Sequence, residues 1–101
     1  MILEAAILNV IAGQTDDFEA AFKQASPIIA SAHGYISHTL QHCIETPTRY
    51  ILLIHWETLD DHIKGFRQSE AYLEWKRLLH HFYGPFPTVE HFEKIFENIS
   101  D

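Results

Sequence analysis

The amino-acid sequence predicts an α+β sandwich, one antiparallel sheet with helices on one face. Three observations predict it. The hydrophobic period alternates between about 2 and 3.6 along the chain, in the order β-α-β-β-(αα)-β. The second and third extended segments lie close enough in sequence to form a hairpin. The chain has 101 residues, which is the length of one domain, expected here to run over residues 1–101.

Each element has its own signal. MILEAAILNVIAG is a short apolar run ended by Gly13, and its Ile, Leu and Val content favours a buried strand. Phe18, Ala21, Phe22, Ala25, Ile29 and Ala32 then recur at intervals of three and four, the core stripe of an amphipathic helix. Thr15 is its expected N-cap, Asp16 and Asp17 suit its positive end, and Gly34 is its expected stop. Pro27 should kink this helix or split off its last turn. YISHTLQHCIET reads as a strand, with Ile36, Leu40 and Ile44 in one phase and Ser37, Thr39 and Gln41 in the other. Pro47 and Thr48 make the turn into RYILLIHWET, a central strand.

TLDDHIKGFRQ reads as a short helix. Thr58 caps it, Asp60 and Asp61 fill its first turn, and Leu59, Ile63 and Phe66 face one way. Ser69 caps a second helix, SEAYLEWKRLLHHFYG. Lys76, Arg77, His80 and His81 gather at its negative end, where they are favoured without any chemistry; Gly84 stops it and Pro85 prevents continuation. TVEHFEKIFENI fits either period. Val89, Ile95 and Ile99 share one strand phase, whereas a helix would group Val89, Phe92 and Phe96. The sheet lacks a fourth strand, so the segment is read as one. The result is a ferredoxin-like fold.

Both phases of RYILLIHWET are apolar: Tyr50, Leu52, Ile54 and Trp56 against Ile51, Leu53 and His55. One phase packs on the helices. The other would leave a large apolar patch in water. A second copy of the chain would cover it, so a homodimer packed sheet against sheet is expected.

Composition narrows the function. Hydrophobic residues make up 47% and charged residues 21%, which is a globular balance. Fourteen acids against seven Lys and Arg give a net charge of −7, with no basic run, which argues against a nucleic-acid binder. No apolar run approaches the ~20 residues of a membrane span. The N-terminal run starts without a positive region and carries Glu4, unlike a signal peptide. Cys43 is the only cysteine, so no internal disulfide can form, which suits a cytoplasmic protein.

The histidines invite chemical readings. His38 and His42 sit four apart on a strand, about 13 Å from each other. Zinc ligands lie about 2.1 Å from the metal, so these two cannot share one. His80 and His81 diverge by about 100° on a helix. No metal site is expected. Cys43 and His42 point to opposite strand faces, so they form no dyad, and Cys43 reads as a small buried hydrophobe. General acid–base work is open to a histidine in a pocket. His55, His62 and His38 are the catalytic candidates. Trp56, Phe66, Tyr72, Trp75 and Phe82 are candidate pocket walls, with His91 beside them; ordinary core packing is the alternative for the aromatics.

The element order, the run Trp56-Glu57-Thr58-Leu59 through Asp61, His62 and Ser69, and the segments IAGQTDDFEAAF and FRQSEAYLEWKRLLHHFYGPFPTVEHF together resemble the antibiotic biosynthesis monooxygenase (ABM) family of dimeric α+β barrel proteins. The likeness runs through nearly the whole chain. It implies one pocket per subunit between sheet and helices. Some members oxidise aromatic phenols with O₂ and no cofactor, because the substrate carbanion itself reduces oxygen. Others bind and degrade haem, and some relatives are isomerases.

The haem-degrading pattern has an Asn, a Trp and an iron-binding His. Anchored on Gly13 and Ser69, these fall on Ala6, on Phe66 and near Lys76, and all three depart; Asn9 is in the opposite strand phase. The generic pattern often has a His where Phe66 stands and a Glu near Ile54, so a less polar pocket is expected. The resemblance therefore implies a cofactor-independent oxidoreductase acting on a small aromatic or enolisable substrate. The alternatives are a non-catalytic dimer that binds a small molecule, a haem protein or an isomerase.

Overall fold

In the computed structural model, which describes residues 1–84 and 87–100, the chain runs β1 (Ile2–Asn9), α1 (Thr15–Ala30), β2 (Tyr35–His42), β3 (Arg49–Trp56), α2 (Glu70–Leu79) and β4 (Thr88–Glu93). The four strands form one antiparallel sheet in the order β2-β3-β1-β4. Pro85, expected to bar continuation of the second helix, lies outside the described residues. No helix among the described residues is long and apolar enough to cross a membrane.

The choice of sheet face is settled by burial. Glu4, Ala6 and Leu8 of β1 and Tyr50, Leu52, Ile54 and Trp56 of β3 are buried toward the helices. Leu3, Ala5, Ile7, Ile51 and Leu53 point to the other face and are only half-buried. Packed on the inner, buried residues are Phe18, Phe22, Ala25 and Ile29 of α1, from the predicted stripe.

Several local expectations change. Thr15 is the first residue of α1 and not its cap; the Phe18 amide already bonds the Gln14 carbonyl at 2.9 Å, which makes Gln14 the boundary. Pro27 does not end α1, which continues to Ala30. Its lost amide would have met the Lys23 carbonyl, and both residues lie on the exposed face, so the core packing of the helix is unaffected. A register shift between Tyr35 and Ser37 turns Ile36 outward, and Ile44 lies beyond β2 and is 90% exposed. The inward phase of β2 is instead His38, Leu40 and His42. β4 stops at Glu93, and Ile95, Phe96 and Ile99 are exposed beyond it. Cys43 is half-buried, and its sulfur accepts the Thr46 amide at 3.3 Å, so it holds a turn and is not a core residue.

Between β3 and α2 the chain makes a π turn, Asp61–Gly65, then a 3-10 turn, Phe66–Gln68. Thr58 and Asp61 cap its start reciprocally: the Asp61 amide donates to Thr58 Oγ1 at 3.2 Å, and the Thr58 amide to Asp61 Oδ2 at 3.1 Å. The wide turn rotates the buried face onto His62 and Phe66 and leaves Leu59 exposed, a correction to the expected Leu59–Ile63–Phe66 stripe. Ser69 caps α2 as expected, its hydroxyl accepting the Tyr72 amide at 3.2 Å. A second 3-10 turn, His80–Phe82, follows α2.

Gly34, at φ +80°, carries the chain from α1 into β2, and its carbonyl accepts the Glu57 amide at 2.8 Å. A Cβ there would run into the Asp61 carboxylate that caps the π turn. Gly13, at φ +85°, has open space where its Cβ would be. Gly34→Ala should therefore cost about 1–3 kcal/mol, more than Gly13→Ala, because it adds a steric clash to the same backbone strain. Urea unfolding of both variants checks this. Equal losses would mean that Asp61 moves aside freely.

Candidate active site

The inner sheet face and the helices enclose a cavity of about 470 Å³, within the ~300–1,000 Å³ typical of small-molecule sites. Ala6, Leu8, Leu52, Ile54 and Val89 form its sheet side, and Phe66, Tyr72 and Trp75 its helical wall. Phe66 meets Tyr72 and Trp75 edge to face, with centroids at 5.6 and 6.0 Å, so the wall is fixed by packing.

One corner of the cavity is polar. Glu4, in the middle of an otherwise apolar strand, is only 6% exposed. Its Oε1 accepts the Trp56 indole N–H at 2.9 Å and lies 3.3 Å from His62 Nε2. His62 Nδ1 is 2.8 Å from His91 Nε2. Strand register explains part of this arrangement. Glu4 is the cross-strand partner of His91 on one side and of Ile54 on the other. The π turn supplies the rest, laying His62 on the Trp56 ring in a stack 5.5 Å between centroids.

Electrostatics fix the protonation pattern. Burial, then the charge of Arg67 and then that of His91, pull His62 down to about 3. Burial raises Glu4, against the opposing pull of the Trp56 hydrogen bond and of Arg67. His91 is lowered by burial and by Arg67. The Glu4–His62 contact is therefore not an ion pair at neutral pH. With Glu4 ionised, a neutral imidazole donates Nε2–H to the carboxylate. His62 Nδ1 must then accept from His91 Nε2–H, which leaves a lone pair on His91 Nδ1. If Glu4 takes up a proton, every hydrogen bond in the chain reverses and both rings stay neutral.

The cavity also has a positive side. Arg67 and Lys76 line it from exposed positions. Half-buried His80 lies between the Tyr72 and Tyr83 rings, its centroid 6.0 and 5.5 Å from theirs, and is lowered by burial and by Lys76. Burial raises the Tyr83 hydroxyl, with Tyr72 and Glu4 adding to the effect.

Of the residues singled out in the sequence, His62, His91, Phe66, Tyr72 and Trp75 line this cavity together. Four do not. His55 lies on the opposite sheet face, 3.3 Å from Ser37 Oγ, because odd positions of β3 point outward. His38 faces inward, but both its ring nitrogens are engaged, by Ser26 Oγ at 2.8 Å and by the Tyr35 hydroxyl at 2.5 Å. Trp56 is fully buried behind His62, and Phe82 packs against Phe18 in the core.

The cavity is polar although the two positions singled out by the resemblance, Ile54 and Phe66, are apolar. Glu4 stands directly across the β1–β3 ladder from Ile54, and His62 precedes Phe66 by four residues on the same buried face. Ala6, Phe66 and Lys76, where the haem-degrading pattern has Asn, Trp and His, all line the cavity. These residues do not fit that pattern, and no step here runs through haem. Sequence reasoning missed Glu4, Arg67, Lys76, His80 and Tyr83 as cavity residues. Only Glu4 carried a signal: a lone acid inside a buried strand must find partners there.

Comparison with known proteins agrees with this architecture. The family model described as antibiotic biosynthesis monooxygenase matches residues 1–78. The uncharacterised protein YczJ of Bacillus subtilis (strain 168) is 55% identical over 95 residues, 94% of this chain and 100% of that one. A Bordetella bronchiseptica crystal structure, named as a candidate antibiotic biosynthesis monooxygenase, is 39% identical, has a TM-score of 0.90, and is matched over 94% of this chain and 97% of its own. SnoaB of Streptomyces nogalater, named a cofactor-independent oxygenase, shares the fold at a TM-score of 0.76 and 18% identity, over 99% and 97% of the two chains. With the family model matched over residues 1–78 and the fold shared with a 39% identical relative at a TM-score of 0.90, the chain belongs to the antibiotic biosynthesis monooxygenase family.

Proposed function

We propose that the protein is a cofactor-independent monooxygenase that begins by taking a proton from a small aromatic or enolisable substrate in the sheet–helix cavity. The observation that carries this reading is the unbroken hydrogen-bonded chain Glu4–His62–His91 opening into that cavity. His91 Nδ1 accepts the substrate proton. Its Nε2–H passes to His62 Nδ1, and His62 Nε2–H passes to Glu4. The proton thus comes to rest on a carboxylate whose burial raises its affinity for it. No imidazolium forms, which matters because burial and then Arg67 disfavour one at either ring. The substrate anion gives one electron to O₂, and the radical pair closes a C–O bond. The resulting peroxide takes back the stored proton and loses water to leave a carbonyl. The shared fold with SnoaB supports the oxygen chemistry by analogy.

We also propose a homodimer through the outer sheet face. Leu3, Ala5, Ile7, Ile51 and Leu53 form its apolar centre, and Phe92, 50% exposed, extends it. Exposed Ile95, Phe96 and Ile99 follow on the same chain segment, apolar side chains that a partner would cover.

Three measurements test these readings. His91→Gln and Glu4→Gln should each lower O₂ consumption with phenolic substrates by about 100-fold or more, the size of a general-base contribution. Wild-type protein that binds phenols yet consumes no oxygen across a broad panel would instead be a ligand-binding module. The second measurement is stability against pH. Above pH 6.5 neither folded nor unfolded chain protonates His62; between 6.5 and about 3 only the unfolded chain does. Stability must therefore fall with pH, by about 2 kcal/mol from His62 alone between pH 6.5 and 5. His91, His38 and His80, also lowered, act in the same direction. Glu4, raised, opposes them: its stabilisation is present below 4.5 and lost as pH rises through its folded value. Urea unfolding at pH 7 and pH 5 should show a shallower dependence for His62→Gln; an unchanged slope would place a charged His62 in the folded state. Third, sedimentation should give twice the 11.7 kDa chain mass, and Leu53→Glu should give the monomer. A wild-type monomer would rule the dimer out.

A further inference from the structure

The chain carries fourteen acids and seven Lys and Arg, a net charge of −7. In such a protein most cations should be neutralised by neighbouring carboxylates. Lys64 lies 3.8 Å from Asp60, Lys94 2.8 Å from Glu97, and Arg77 pairs with Glu74. Arg49 donates to Asn9 at 3.3 Å. Among the described residues, Arg67 and Lys76 have no carboxylate within 4.0 Å, and both line the cavity. Lys23 and Arg49 also lack one, but Lys23 sits on the exposed face of α1, Arg49 is bonded to Asn9, and neither lines this cavity.

We infer that the substrate is a small organic anion, an aromatic or enolisable acid whose carboxylate or phosphate is held by Arg67 and Lys76 at the cavity mouth while its acidic proton faces His91. This rests on the proton-abstraction reading above and adds the class of molecule. The cavity has the required polarity. Glu4 and His62 are buried, whereas Arg67 and Lys76 are exposed. The Phe66, Tyr72 and Trp75 rings offer apolar walls for a flat body. The positive field reaches inward: Arg67 lowers Glu4, His62 and His91, and Lys76 lowers His80. A guanidinium can grip a carboxylate or phosphate with two parallel hydrogen bonds, which fixes orientation as well as affinity. On a surface that otherwise repels anions, a positive mouth also selects where they enter. The Glu4 carboxylate does not conflict with an anionic ligand. It is buried and already engaged by the Trp56 indole and His62, and its negative charge is lost once it holds the substrate proton.

Titrations that follow tryptophan fluorescence, where Trp75 reports from the cavity wall, test this with matched pairs: salicylate against salicylamide, and phenyl phosphate against phenol. The anion of at least one pair should bind about tenfold tighter than its neutral partner. Which pair shows the difference separates a carboxylate substrate from a phosphate ester. Arg67→Gln and Lys76→Gln should each remove most of that preference by weakening anion binding more than neutral binding; Lys23→Gln should change neither. Neutral partners binding as tightly as the anions, or variants that weaken both alike, would overturn the inference. Anion binding with no oxygen consumption by any bound ligand would overturn only the oxygenase reading. Oxygen consumption confined to neutral phenols would overturn only the anion.

Discussion

A carboxylate in the middle of an apolar strand constrains everything packed around it. Left unpaired in a protein interior, Glu4 would cost several kcal/mol, so its neighbours must present donors. They come from three separate elements. β3 supplies the Trp56 indole, the π turn supplies His62, and β4, paired to β1 in register, brings His91 to close the chain. The wide turn after β3 then has a physical reason. It tips His62 onto the Trp56 ring, where its Nε2 reaches the acid, and buries Phe66 one turn later.

This constraint also explains how the family pattern is changed and kept. The resemblance implies a His where Phe66 stands and a Glu near Ile54. Both positions are apolar, yet an imidazole lies four residues earlier on the same buried face, and a carboxylate lies directly across the ladder. Side chains four apart in a helical turn, or opposite one another in a ladder, project into the same space. Two polar groups thus stand one such step from the positions the resemblance points to, and the cavity is polar although those positions are apolar. A reading confined to matched positions therefore finds an apolar pocket where the three-dimensional one is polar.

What could be read from the sequence follows from the range of the forces involved. The strand and helix periods, the Ser69 cap and the hairpin turn are local, and they were legible. Which phase of β3 faces inward was not, because both faces of a central strand are apolar when one packs on helices and the other is a candidate interface. The Leu59–Ile63–Phe66 stripe failed because a π turn rotates side chains away from the 3.6 period. His55 was misplaced by that same undecided phase, and His80 was read only as a charge at a helix end, although the 3-10 turn after Leu79 sets its ring against Tyr72 and Tyr83 at the cavity. Glu4 was visible as a lone acid, but its partners come from residues 56, 62 and 91, contacts that no local period encodes.

The last strand ties the two sheet faces together. His91 faces the cavity opposite Glu4, and its neighbour Phe92 faces outward opposite Leu3. β4 is an edge strand of six residues, hydrogen-bonded to β1 on one side. A slip of one residue would exchange these side chains, taking His91 out of the cavity and putting a Phe into the polar corner. The buried hydrogen bond from His91 to His62 resists that slip from inside. Apolar contact at Phe92 resists it from outside to the extent that the outer face is covered. An edge strand free on one side is otherwise among the easier parts of a sheet to open. Cover on the outer face and the position of His91 inside are therefore coupled through one short strand, without any residue of the outer face entering the cavity.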